Sequence, residues 1–123
     1  MRRSLSVWIA AILVLSATPS LGHDYSTRAD VTLKRKDGLW RGQVKNSTNF
    51  CERNREVVLR KRGPDGSVPI VSGHTDSTGF YAFNVEKTPG PYYVVARRKK
   101  LVSEEHSHFC KIAISNEVGQ QTW

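Results

Sequence analysis

His74-Thr75-Asp76-Ser77-Thr78-Gly79-Phe80-Tyr81-Ala82-Phe83, followed by Pro89-Gly90-Pro91-Tyr92-Tyr93-Val94-Val95-Ala96, decides the fold of this chain. Each stretch is an alternating apolar run led in by turn chemistry, the mark of consecutive strands in one antiparallel sheet. In the first, Asp76 is placed to hold the amides that follow it and Gly79 to take positive φ, so the chain bends before Phe80. Tyr81, Phe83 and Val85 then share one face, and Phe80, Ala82 and Asn84 the other. In the second stretch Tyr92, Val94 and Ala96 fall together as a core stripe.

The same alternation extends in both directions. Residues 29–35 place Val31 and Leu33 on one side, Lys36-Asp37-Gly38 turns the chain, and residues 39–45 return with Trp40, Gly42 and Val44 sharing a face. Residues 46–55 are polar and read as a loop holding Cys51. Residues 56–60 form the next strand, with Val57 and Leu59 inward, ended by Gly63-Pro64-Asp65-Gly66. Residues 70–75 lead into the Asp76 turn. The last strand, residues 106–115, puts His108, Cys110, Ile112 and Ile114 on one face. The pass finds seven short strands and no helix, which predicts an all-β, two-sheet sandwich.

Gly42-Gln43-Val44, residues 55–59, Thr75-Asp76 with Gly79-x-Tyr81-x-Phe83, and Pro89-Gly90-x-Tyr92-x-Val94-x-Ala96 carry a family resemblance. Over residues 40–100 the chain resembles the carboxypeptidase-regulatory-like and transthyretin-like sandwich domains. With Cys51 and Cys110 added, it is similar to small exported bacterial domains of that type. The resemblance implies a seven-stranded antiparallel Greek-key β-sandwich acting as an accessory, adhesive or scaffold module. It brings no catalytic residue and no motif for the hormone pocket of transthyretin. The peptidase or large surface protein that usually accompanies such a domain is not in this sequence, so the expectation is a stand-alone version.

The N-terminus predicts export. Arg2 and Arg3 precede an apolar stretch over residues 7–15, and Ser20-Leu21-Gly22 offers small residues where a signal peptidase reads, so residues 1–22 are expected to be a signal peptide. The apolar stretch falls short of the ~20 residues that span a bilayer, so no stable membrane insertion is expected after cleavage. Residues 23–123 then form a single domain, secreted or periplasmic/extracellular. The whole chain carries 19 Lys plus Arg against 11 Asp plus Glu; without Arg2 and Arg3 the balance is 17 minus 11, or +6. Such a balance favours anionic neighbours.

Two cysteines in an exported chain predict one disulfide, Cys51 to Cys110, across a loop of 60 residues counted from 51 through 110. On the chain-entropy account that closure is worth about 4 kcal/mol. Three clusters, Lys34-Arg35-Lys36, Arg60-Lys61-Arg62 and Arg97-Arg98-Lys99-Lys100, sit at expected strand ends. If the last two gather at one rim, they make a site for an anionic envelope polymer or an acidic partner protein. Nucleic acid is disfavoured as partner, because Tyr81, Phe83 and Tyr92 are committed to the core and unavailable for base stacking.

Metal chemistry has one opening. His23 would begin the mature chain, and an N-terminal His offers amine and imidazole to copper, with His74, His106 or His108 as a further ligand. Ser103-Glu104-Glu105 and Ser107 around the last two histidines read instead as a polar strand entrance. Asp76 reads as a backbone cap. Glu104 and Glu105 are adjacent on a strand and point apart, Asn46-Ser47-Thr48 is a glycosylation sequon only where the host supplies the machinery, and no nucleophile or phosphate-loop motif is present. The expectation is a non-catalytic module that binds a partner or anionic surface polymer and requires no cofactor. The alternatives are a copper-binding protein built on His23 and a purely structural cell-envelope module.

Overall fold

The computed structural model describes residues 23–102 and 106–123; the expected leader, residues 1–22, and Glu104 and Glu105 lie outside the described residues. The chain is all-β apart from one helical turn. Its elements in order are β1 (His23–Arg28), β2 (Asp30–Val31), β3 (Lys34–Lys36), β4 (Leu39–Lys45), α1 (Asn49–Glu52), β5 (Glu56–Gly63), β6 (Gly66–His74), β7 (Phe80–Phe83), β8 (Tyr92–Ala96), β9 (Lys99–Val102), β10 (His106–Lys111) and β11 (Ala113–Ile114). One sheet runs β11-β8-β5-β6. A second places β4 between β7 on one side and β2 and β3 on the other, and β1-β10-β9 form a third.

The turns follow from local chemistry. Asp37 and Gly38 both take positive φ (53° and 78°), the two-residue hairpin geometry that joins β3 to β4. Gly79 sits at φ 89°, and its carbonyl accepts the Val44 amide at 2.8 Å. A Cβ at Gly79 would collide with the Val44 carbonyl oxygen. Gly42 is required for a different reason: a Cβ there would occupy the space through which the Tyr81 hydroxyl donates to the Thr32 carbonyl.

Both large sheets contribute to one buried cluster. Trp40, Val44, Tyr81 and Phe83 come from the β4 sheet; Val57, Leu59, Tyr92, Val94, Ala96 and Ala113 come from the β5–β8 sheet. Trp40 and Tyr92 meet across it with ring centroids 4.3 Å apart, and the Trp40 indole donates to the Val85 carbonyl at 3.0 Å, so its polar edge is not stranded in the core. The expected inward stripes, Val31 with Leu33, Val57 with Leu59, and Tyr92 with Val94 and Ala96, are all buried.

Four expectations are corrected. The 46–55 loop contains the turn α1, whose Glu52 carboxylate accepts the Asn46 amide at 2.8 Å while the Lys99 ammonium donates to the carbonyls of Phe50 and Arg53. The 29–35 strand is interrupted at Thr32–Leu33, where the Asn116 side chain takes over both backbone groups of Leu33 at 3.0 and 2.9 Å. The pairing is not antiparallel throughout: β1, unforeseen as a strand, runs parallel to β10.

Finally, Ile112 and Ile114 do not share the inward face of Cys110. The ladder breaks at Ile112, the alternation shifts by one residue, and Ala113 is buried while both isoleucines are about half exposed.

Cys51 and Cys110 form the disulfide, with Cα atoms 5.5 Å apart and both side chains buried. Beside it lies Arg55, fully buried. Its guanidinium donates to three backbone carbonyls, those of Cys51 at 2.8 Å, Arg97 at 2.6 Å and Lys111 at 2.7 Å, and its own amide donates to the Thr75 hydroxyl at 2.7 Å. Thr75 passes the connection on to the Glu52 carbonyl. Burial lowers the Arg55 pKa, yet a guanidinium stays charged at any physiological pH. Hydrogen bonds to a charged donor are each worth about 1.5–3 kcal/mol net. Arg55→Met should therefore destabilise the fold by about 3 kcal/mol, and Arg55→Lys should not restore it, because one ammonium cannot span three divergent carbonyls. Denaturant midpoints measure both; a loss below about 1 kcal/mol for Arg55→Met would mean that the three carbonyls find other partners.

Candidate anion-binding faces

The two clusters nominated by the sequence meet only in part: Arg60 and Arg97 border one depression, while the ends of the two clusters diverge. In the β5–β8 register Arg60 opposes Tyr93 and the Arg62 amide reaches the Pro91 carbonyl, whereas the Arg97 amide reaches the Glu56 carbonyl at the other end of β5. Six residues of strand, roughly 20 Å, separate Arg62 from Glu56.

Several of these cations are already engaged within the fold. Lys61 points to the opposite side of β5, with its ammonium 2.6 Å from the Thr88 hydroxyl and over the Tyr92 ring. Arg62 pairs with Glu117, a contact that raises its pKa, and stacks over Tyr93 at 4.3 Å. Lys99 caps α1, and burial lowers its pKa ahead of the charges of Arg53 and Arg55. Arg60 donates to Ser67, Lys100 lies over the Phe109 ring, and Arg98 is exposed.

The fold assembles two clefts on the outer faces of the large sheets. On the β5–β8 face, Val58, Arg60, Val95, Arg97 and Ile112 line a depression of about 320 Å³. It exists because the phase break at Ile112 turns that side chain outward. Arg97 has one acidic neighbour, Glu56 at 3.9 Å. On the β4 face, a larger cleft of about 590 Å³ is bordered by Lys34, Leu39, Arg41, Gln43, Phe80 and Ala82. Here Lys34 lies directly opposite Arg41, Arg41 opposite Ala82, and Gln43 opposite Phe80. Among the described residues no carboxylate lines either cleft.

The Asp76 turn fixes one wall of the β4 cleft. Its carboxylate accepts the Thr78 amide at 2.8 Å, the Thr78 hydroxyl at 2.9 Å and the Phe80 amide at 3.0 Å, and these bonds, led by the Thr78 amide, hold it below the usual carboxylate range. Asp76 is thus a backbone cap, and it sets where Phe80 leaves the turn. The sequon residue Asn46 is likewise engaged: its carbonyl accepts the Thr48 amide at 2.8 Å and its amide donates to the Thr27 hydroxyl at 3.3 Å.

For the histidines the structure gives backbone placement. His23 pairs in register with His106 and Tyr25 with His108 across the parallel β1–β10 ladder, whereas His74 lies on β6 opposite Glu56. The side chains of His23 and His106 lie outside the described residues; His108 packs near the Phe50 ring at 6.1 Å. Among the described residues no group of three His, Cys, Asp or Glu is placed to hold a metal, and no helix is long and apolar enough to cross a membrane.

No protein-family description, no curated protein and no solved structure matches this chain.

The Asp76 geometry has a pH consequence. A carboxylate whose pKa is lower in the folded than in the unfolded chain adds stability above the unfolded value, near 4, and that stability is lost as pH falls through the folded value. Asp76→Ala should lower the melting temperature at neutral pH, and the gap to the wild type should close as the pH is taken below about 4. A gap that stays constant from neutral to acid pH would remove the carboxylate from the account.

Proposed function

We propose that this protein is an exported, non-catalytic binding module of the seven-stranded Greek-key, transthyretin-like sandwich type, which recognises an anionic surface polymer or an acidic partner. One observation carries the reading: among the described residues, the clefts on the outer faces of the two large sheets are each lined by two cations and by no carboxylate. Charges that a fold needs only for solubility are interspersed with the opposite sign. Among the described residues, ion pairs form at Arg62 with Glu117 and at Arg97 with Glu56, which leaves Lys34, Arg41 and Arg60 without an acid. The buried disulfide supports an oxidising compartment.

Binding of this kind weakens as salt screens exposed charge, over a Debye length of about 10 Å at 0.1 M. The protein should be retained on immobilised heparin at low salt and released as salt rises, and Arg60→Glu combined with Arg97→Glu should flatten that dependence. Absence of retention at low salt, or retention indifferent to salt, would contradict the reading.

A second reading, copper binding at a mature N-terminal His23, is supported by the register that sets His23 against His106, with His108 two residues further along the same strand. Neighbouring strands lie about 4.8 Å apart, within reach of two imidazoles on one ion. Copper(II) titration of the chain beginning at His23 tests it. His106→Ala should alter the copper electron paramagnetic resonance signature by removing one nitrogen ligand, and a signature unchanged by that substitution would exclude the pairing.

A further inference from the structure

The β4 cleft has features that generic polyanion binding does not require. Lys34 and Arg41 stand directly opposite each other on one face, and Lys36 lies two residues from Lys34 on the same side. Like charges directly opposed across a ladder destabilise a sheet. Among the described residues no acid lines the cleft to relieve them. The Arg41 Nε is buried without a hydrogen-bond partner, a rarity for a charged donor. Across β4, Phe80 is 51 % exposed at the cleft wall, its backbone held by the Asp76 turn, and Gln43 beside it donates to the Thr78 carbonyl at 3.3 Å. Cations facing an unfilled need for negative charge, next to a fixed aromatic face and an amide, match a ligand with both an anionic group and a flat apolar C–H face.

We propose that the cleft bordered by Lys34, Arg41, Gln43 and Phe80 binds a carboxylate-bearing sugar ring, a uronate unit of an acidic glycan. The carboxylate meets the Arg41 fork and the Lys34 ammonium; the C–H face of the pyranose covers Phe80. At about 590 Å³ the cleft falls within the ~300–1,000 Å³ range of small-ligand sites, which suits one or two sugar units rather than an extended strand. Single-stranded nucleic acid is the less favoured occupant, because it stacks successive bases on a series of aromatics and Phe80 is the one exposed aromatic that lines this cleft. The inference rests on the anionic-partner reading and names the site and ligand class within it.

The test is calorimetric titration of the protein with tetragalacturonate at low salt, alongside neutral maltotetraose, polyphosphate and a ten-residue deoxythymidine oligonucleotide. Tetragalacturonate should bind and maltotetraose should not. Arg41→Gln should weaken tetragalacturonate at least ~10-fold, the scale of one charge-assisted hydrogen bond. Arg41→Lys should recover only part of that, since it keeps the charge and loses the fork. Phe80→Ala should weaken tetragalacturonate while leaving polyphosphate unchanged. These positions are at least partly exposed, and unchanged melting temperatures would verify that the variants fold.

Three results would overturn the inference: no tetragalacturonate binding, binding insensitive to both Arg41→Gln and Phe80→Ala, or tighter Phe80-dependent binding of the oligonucleotide. If salt-dependent heparin retention persists while tetragalacturonate fails, the sugar site falls and the anionic-partner reading stands; if both fail, both fall.

Discussion

The buried guanidinium of Arg55 is the constraint on which the rest of this fold hangs. Among the described residues it has no carboxylate partner, and its charge meets three carbonyl dipoles. Those carbonyls belong to places where regular structure stops: the turn α1 at Cys51, the joint between β8 and β9 at Arg97, and the joint between β10 and β11 at Lys111. Where a ladder breaks, its backbone groups need other partners, and a planar donor with five N–H groups can serve several at once. Arg55 thereby allows a long two-stranded ribbon to bend, so that β8 and β11 join the large sheet while β9 and β10 continue into the smaller one. Asn116 does the same on a smaller scale for Leu33.

The disulfide and the arginine reinforce each other. Cys51 supplies both a sulfur to Cys110 and a carbonyl to Arg55, so the covalent bond and the charged tie hold the same short segment against the same hairpin. The Lys99 ammonium closes the remaining carbonyls of that segment. Two of the chain's cations, Arg55 and Lys99, are consumed in this way. The proposed binding role rests on the cations of the outer sheet faces, Lys34, Arg41, Arg60 and Arg97.

The sequence was legible wherever period and turn chemistry act locally. Alternation placed Tyr81, Phe83, Tyr92, Val94 and Ala96 inward, Asp37-Gly38 and Asp76 to Gly79 marked the bends, and two cysteines in one chain named their own pairing. Arg55 was not legible, because an arginine in a polar stretch reads as surface and only the three converging carbonyls explain its burial. The phase break at Ile112 is likewise a tertiary event: continued alternation would send both isoleucines into the core, yet Ala113 is the residue that fits there. The parallel pairing of β1 joins residues more than eighty positions apart, and no local pattern encodes it. Alternation set Phe80 on the face opposite Tyr81 and Phe83, but its alignment with Gln43, and that of Arg41 with Lys34, depends on cross-strand register.

The most direct test of the whole account is the map of backbone amide shifts in proton–nitrogen correlation spectra as an acidic oligosaccharide is added at low salt. The account predicts progressive shifts confined to residues 32–43 and 80–82, with the amides of Val57, Leu59, Val94 and Arg55 unmoved, because the ligand meets a preformed outer face over a rigid interior. Shifts spread through the core amides, or none at residues 32–43 and 80–82, would contradict it.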